Sequence, residues 1–193
     1  MVPVHVHTTI AAPREEVFDF LADLAYRPAW CDHFISDFRL AHPKSDGAGA
    51  AARYRLGAPR YKPWVETQIV EADRPRRLME RTRGGRSNRS RGEVIFDLSR
   101  QGRHLTRVEL TIWSEAGTAR ERLLERLGAR PWVRRQAKNS LERLRAVFEE
   151  RPDDPLARAT VAGWEPQKAP RFGLELAGQP PVHTGSGERA SSG

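Results

Sequence analysis

Glu80, Tyr54, Cys31 and the pair His5/His7 are the side chains whose types and spacing could do chemistry in this 193-residue chain. Glu80 lies in Arg77–Arg83, where alternation puts Leu78, Glu80 and Thr82 on one face. If that face is the interior, the carboxylate has a raised pKa and can serve as an acid or a base. If Met79 faces inward instead, Glu80 is a solvated neighbour of Arg81. Tyr54 shares a face with Leu56, and a buried phenol needs a hydrogen-bond partner, either a ligand or a backbone carbonyl. Tyr54 and Glu80 are thus the acid–base candidates, with Arg53 as an accessory, and no residue is assigned as catalytic. No Ser-His-Asp or Cys-His set can be paired, and Cys31 beside Trp30 reads as a small buried filler.

His5 and His7 project from one face of a strand, a spacing that suits two metal ligands, but no third ligand accompanies them. No metal is expected. Gly47-Ala48-Gly49 imitates a dinucleotide fingerprint, and Glu71 follows it by about 20 residues. That motif requires a helix next, whereas Arg53–Leu56 reads as a strand stopped by Gly57 and Pro59. No cofactor is expected.

Arginines crowd residues 74–91: Arg74, Arg76, Arg77, Arg81, Arg83, Arg86, Arg89 and Arg91, opposed only by Glu80 within that span and Asp73 just before it. Such a hairpin could contact phosphates, yet no aromatic residues interleave for base stacking, which disfavours nucleic acid. Arg77, Arg81, Arg83 and Arg86 are the candidate surface for an acidic partner. The plainer reading is a solvated edge that discourages strand-to-strand aggregation.

These residues need elements to hold them. Val2, Val4, Val6, Thr8 and Ile10 alternate as a half-buried strand. Pro13, Glu15 and Glu16 then open a helix whose face carries Val17, Leu21 and Leu24. Arg27-Pro28 interrupts it, and Ala29–Phe34 reads as a second short helix carrying Trp30. From Ile35 the period becomes two. Strands are expected at Phe38–Ala41, Ala51–Gly57, Pro63–Glu71 and Arg77–Arg83, followed by a hairpin that sets Val94, Phe96 and Leu98 against Val108, Leu110 and Ile112. The closing helix starts at Glu115 or Thr118, breaks at Gly128–Pro131, and carries the stripe Leu141, Leu144 and Phe148. Residues 1–150 form one domain. Residues 151–193 hold six Pro and six Gly and read as a mostly disordered tail with short apolar pieces near Val161–Trp164 and Phe172–Leu176.

The formal charge is +8, and residues 1–150 carry all of the excess, with 28 basic against 20 acidic side chains. A basic balance favours acidic ligands or surfaces without naming one. The single cysteine excludes an internal disulfide, and the chain has neither a signal-peptide pattern nor a run of apolar residues long enough to span a membrane. A cytoplasmic protein is expected. The oligomeric state is left open, although Trp64 and Trp164 could mark a self-association surface.

Thr8–Trp30, Glu71–Leu78, Gly92–Leu110 and Leu141–Glu150 together resemble the START-like (SRPBCC) superfamily, particularly its polyketide cyclase/dehydrase-like branch. The first segment matches the family's apolar strand, Ala-Pro, aromatic helix and Trp. The second matches its acidic-Pro-basic-Leu strand opening, and the third its Gly-x-Thr-Arg-Val-like hairpin, with His104-Leu105 interposed before Thr106. The likeness covers residues 2–150. It implies an α+β helix-grip fold, in which a curved antiparallel sheet of about seven strands wraps a long C-terminal helix, with two short helices after the first strand.

The resemblance also implies a cavity between sheet and helix for an apolar or amphipathic small molecule, lipid- or polyketide-like. The inward faces then give its lining as Tyr54, Leu56, Val65, Thr67, Phe96, Leu98, Leu110, Leu141 and Leu144, with Trp30 and Phe34 at the mouth. Binding of such a molecule is the leading expectation. An aromatase/cyclase-like enzyme is the first alternative, and a basic interaction module using residues 74–91 the second.

Overall fold

The computed structural model describes residues 2–59, 62–85, 89–124, 128–150, 156 and 158–161. Strand β1 (Val4–Ile10) leads into α1 (Arg14–Ala22), a 3-10 turn (Leu24–Tyr26) and the one-turn helix α2 (Pro28–Cys31). The meander follows: β2 (Ile35–Leu40), β3 (Ala51–Leu56), β4 (Trp64–Asp73), β5 (Arg77–Gly84), β6 (Ser90–Arg100) and β7 (Thr106–Glu115). Helices α3 (Ala119–Leu124) and α4 (Arg130–Glu149) close the described part of the domain.

The local chemistry accounts for these boundaries. Asp23 ends α1 and caps the 3-10 turn, its carboxylate accepting the Ala25 N–H at 3.0 Å. Pro28 occupies the first turn of α2, where its missing N–H costs nothing. Gly128 adopts φ 119°, a conformation that L side chains rarely reach, and separates α3 from α4 as the sequence implies.

The sheet has the order β1-β7-β6-β5-β4-β3-β2, so consecutive strands pair and β1 returns to lie beside β7. All of its pairings are antiparallel. Each tight turn joins neighbours in space, the cheapest connection between antiparallel strands. Strand β2 begins earlier than its alternation indicates. A bulge between Ser36 and Arg39 interrupts the register there, with Asp37 at φ 52°. Thr106 Oγ1 donates to the Ala12 carbonyl at 2.8 Å, tying the start of β7 to the turn after β1.

Helix α4 packs on β1 and α2. Its inner face contributes Ala137, Ser140, Leu141 and Leu144 to a core that also holds Ile10, Val17, Leu21, Leu24, Ile69 and Leu78. Burying each such leucine contributes roughly 1.5–3 kcal/mol. Among the described residues no helix is long and apolar enough to cross a membrane. The expected tail falls largely outside the described residues. Within it, Ala159 and Val161 pack against the core.

Candidate functional site

The inward face of β5 is Leu78, Glu80 and Thr82, not Met79: Leu78 is fully buried and Glu80 is 1% exposed. Antiparallel pairing sets Glu80 opposite Ile69 on β4 and Val94 on β6, in the middle of the sheet. A lone carboxylate there would be very costly, and it is not alone. Arg27, in the turn between the 3-10 segment and α2, reaches across with both terminal nitrogens and closes a buried ion pair. Thr67 Oγ1 donates a further hydrogen bond to Glu80 at 3.0 Å. The guanidinium also lies 4.8 Å from the Trp30 ring centroid and 5.7 Å from that of Phe96, a cation–π arrangement on two rings. Burial is the largest single influence and would lower the Arg27 pKa, but the charge and hydrogen bond of Glu80 together with the nearby Cys31 and Tyr54 outweigh it and hold the guanidinium above its ordinary range.

This pair sits in the wall of a cavity of about 620 Å3 enclosed by the sheet, α2 and α4. That is within the range of small-molecule sites. Its apolar lining includes Trp30, Phe34, Leu56, Val65, Phe96, Leu110, Ile112 and Trp132. Its polar lining includes Arg27, Glu80, Tyr54, Thr82, Gln136 and Ser140, with a second set, Arg83, Ser90, Arg91, Ser114 and Glu115, from the ends of β5, β6 and β7. Tyr54 stacks on Phe38 at 5.8 Å, and its hydroxyl makes no hydrogen bond among the described residues. Burial and then the Glu80 carboxylate push its phenol above the ordinary range, so it is a neutral donor at physiological pH. Cys31 also lines the cavity, with Sγ 3.8 Å from Ser140 Oγ. Desolvation pushes its thiol up to about 12 despite the pull of Arg27, which leaves it a poor nucleophile.

Of the residues read from sequence as lining, Trp30, Phe34, Tyr54, Leu56, Val65, Phe96 and Leu110 border the cavity. Four do not. Leu98, Leu141 and Leu144 are packed into the core without bordering the cavity, and Thr67 is turned to Glu80. Trp30 is not at a mouth either: it is 2% exposed, edge-on to Phe96 at 6.1 Å. The short helix α2 tucks it inward, and Trp132 of α4 lies edge-on to Phe34 at 6.4 Å in its stead. Arg27 and Trp132 are the residues that sequence reasoning missed. His33 is half-buried, with both ring nitrogens enclosed and without a hydrogen-bond partner among the described residues.

The arginine hairpin is less free than its sequence suggests. Arg74 binds Asp19 through two hydrogen bonds of 2.6 and 2.8 Å. Arg77 meets Asp97 at 3.1 Å and Arg81 meets Glu93 at 3.6 Å. Arg83 is exposed, and Arg86 lies outside the described residues. Partners from α1 and β6, distant in sequence, thus pair three of the eight arginines. His5 donates or accepts across to Thr111 Oγ1 at 3.0 Å. No group of three or more His, Cys, Asp or Glu suited to a metal occurs among the described residues. The segment after Gly47-Ala48-Gly49 is β3, a strand and not the helix a dinucleotide site needs.

Comparison with known proteins agrees with this architecture. The family model described as polyketide cyclase/dehydrase and lipid transport matches residues 1–149. Among solved structures, a START superfamily protein from Mycobacterium smegmatis aligns with TM-score 0.52 at 15% identity, covering 77% of this chain and 95% of that one. Ginseng major latex-like protein 151 from Panax ginseng aligns with TM-score 0.55 at 12% identity, over 76% and 97%. A protein from Thermus thermophilus aligns with TM-score 0.53 at 21% identity, over 75% and 98%. A search of curated proteins found no match. The fold is therefore the START-like helix-grip fold.

Proposed function

The chain belongs to the polyketide cyclase/dehydrase and lipid transport family, and we propose that it binds an amphipathic, oxygen-bearing aromatic or polyketide-like molecule. The observation that carries this reading is the cavity of about 620 Å3 whose largely apolar walls hold a buried polar group, Arg27–Glu80 with Tyr54. The walls supply the binding energy by taking apolar surface out of water. The Tyr54 hydroxyl, a neutral donor with no hydrogen bond among the described residues, awaits a carbonyl or phenolic oxygen, and the adjacent Arg27 charge strengthens that contact. Glu80 is already occupied by Arg27 and Thr67, so the site is built to donate hydrogen bonds to a ligand more than to take a proton from it. A cytoplasmic location belongs to the same proposal.

The test is equilibrium titration, followed by tryptophan quenching, with a trihydroxyanthraquinone and with anthracene as its oxygen-free counterpart. The expected result is saturable binding of the first, weakened up to about tenfold by Tyr54→Phe, the worth of one neutral hydrogen bond. Anthracene should be insensitive to that substitution. Absence of quenching by either probe contradicts the reading.

A cyclase-type activity is the second reading, favoured by the pairing of a neutral Tyr54 donor with the Arg27 cation. That pair would polarise a ketone for attack by an enol carbon of the same poly-β-ketone: as the C–C bond forms, Tyr54 protonates the new alkoxide and recovers the proton released by the enol O–H, with the cavity supplying orientation. Turnover of a poly-β-ketone lost in Tyr54→Phe would support it.

A further inference from the structure

The described residues between 158 and 161 lie beyond the part of the chain that the family model matches, yet they touch the domain at one sensitive place. Arg158 donates to Asp23 Oδ2 at 2.7 Å, and its guanidinium lies 4.8 Å from the Tyr26 ring centroid. The Ala159 N–H donates to the Ala25 carbonyl at 2.8 Å. The Thr160 carbonyl accepts the Leu40 N–H at 2.9 Å, and Val161 forms a parallel bridge with Leu40 on the open edge of β2.

Three of these contacts fall on Asp23, Ala25 and Tyr26, the residues of the 3-10 turn and its cap. Arg27 follows directly, its N–H bonded to the Leu24 carbonyl at 3.1 Å. A three-residue turn is held by few bonds of its own and frays readily unless something packs on it. Phe20 stacks on Tyr26 at 5.1 Å from the inner side, and the 158–161 segment holds the same turn from the outer side. A guanidinium that must meet Glu80 in a buried wall tolerates little drift of its backbone.

We propose that residues 158–161 are a strap that clamps the 3-10 turn and so positions Arg27 in the cavity wall, with Arg158 as the positioning residue. The strap also occupies the β2 edge at Leu40, leaving that N–H unavailable to another strand. The clamp is built from this chain's own extension, and the cavity's cation depends on it.

Amide hydrogen exchange on the full chain tests this, comparing wild type with Arg158→Ala and Arg158→Lys. In Arg158→Ala the amides of Leu40, Tyr26 and Arg27 should exchange about tenfold faster, the loss expected for one charged hydrogen bond. Phe96 and Leu110, deep in β6 and β7, should keep their wild-type rates. Arg158→Lys keeps the charge but loses the planar stack on Tyr26, and should recover part of the protection.

Two results overturn the proposal. One is faster exchange at Leu40 alone with Tyr26 and Arg27 unchanged, which makes the segment an edge cover only. The other is an equal acceleration at every strand, which makes Arg158 a contributor to global stability only. Binding of the trihydroxyanthraquinone, which rests on the cavity reading, should weaken several-fold in Arg158→Ala by loss of Arg27 alignment. Should wild type bind no probe, the exchange rates at Tyr26 and Arg27 still decide.

Discussion

Replacing Glu80 with glutamine would leave the shape of the cavity wall almost intact while removing the charge that balances Arg27. Both side chains are buried, at 2% and 11% exposure, so solvent screens the pair little. Removing one partner of such a pair costs about 3–5 kcal/mol, because the remaining charge is stranded. Glutamine keeps one carbonyl oxygen for Thr67 or Arg27, which argues for the lower end, about 3 kcal/mol. For a domain of this size each kcal/mol moves the melting temperature by roughly 2–4 °C, so Glu80→Gln should melt about 6–12 °C below wild type. The double variant Arg27→Met/Glu80→Leu strands no charge and should recover most of that loss. Scanning calorimetry of wild type, Arg27→Met, Glu80→Leu and the double variant closes the cycle, with Glu80→Gln measured beside them. A Glu80→Gln protein that melts within about 2 °C of wild type, or a double variant no better than the single, refutes the account of a mutually dependent buried pair.

Other outcomes follow from neighbouring contacts. Cys31, with its thiol pushed up to about 12, should react with iodoacetamide at about pH 8 roughly a hundredfold more slowly in the native than in the urea-unfolded protein, as read by mass spectrometry. Because Arg74 hydrogen-bonds Asp19 and holds that carboxyl below its ordinary range, the pair stabilises the fold above the unfolded-state pKa of about 4. Its contribution fades as pH falls through the native pKa, so urea midpoints of Arg74→Gln and wild type should differ slightly at about pH 7 and converge at about pH 2. The difference will be small, since both side chains are more than half exposed. Ile112→Trp, which fills cavity space from β7, should abolish quenching by the trihydroxyanthraquinone while leaving the far-ultraviolet circular dichroism unchanged.

The strands were legible because their alternation is dictated by a one-sided sheet: Val94, Phe96 and Leu98 could face only the interior once paired with Val108, Leu110 and Ile112. Glu80 was legible for the same reason, by its spacing from Leu78. Arg27 was not, because an arginine beside a proline reads as a helix stop, and nothing local says that its side chain turns inward to a carboxylate 53 residues away. Buried arginines are rare enough that pattern reading leaves them outside. Leu141 and Leu144 show the converse limit. Their stripe correctly marks the inner face of α4, but periodicity cannot separate a residue that borders a void from one packed beside it. Trp132 lay just after Pro131, ahead of the clean part of that stripe. Gly128 signalled the break without signalling the angle.

The most direct test of the central claim, that the cavity holds an oxygen-bearing amphipathic molecule, is native mass spectrometry of the freshly purified protein. The bound species would be released by denaturation and its mass measured. The account expects a discrete adduct at near-stoichiometric occupancy, reduced in Tyr54→Phe and absent in Ile112→Trp. An unliganded mass in wild type, together with no thermal stabilisation by the trihydroxyanthraquinone at concentrations up to its solubility, would contradict it.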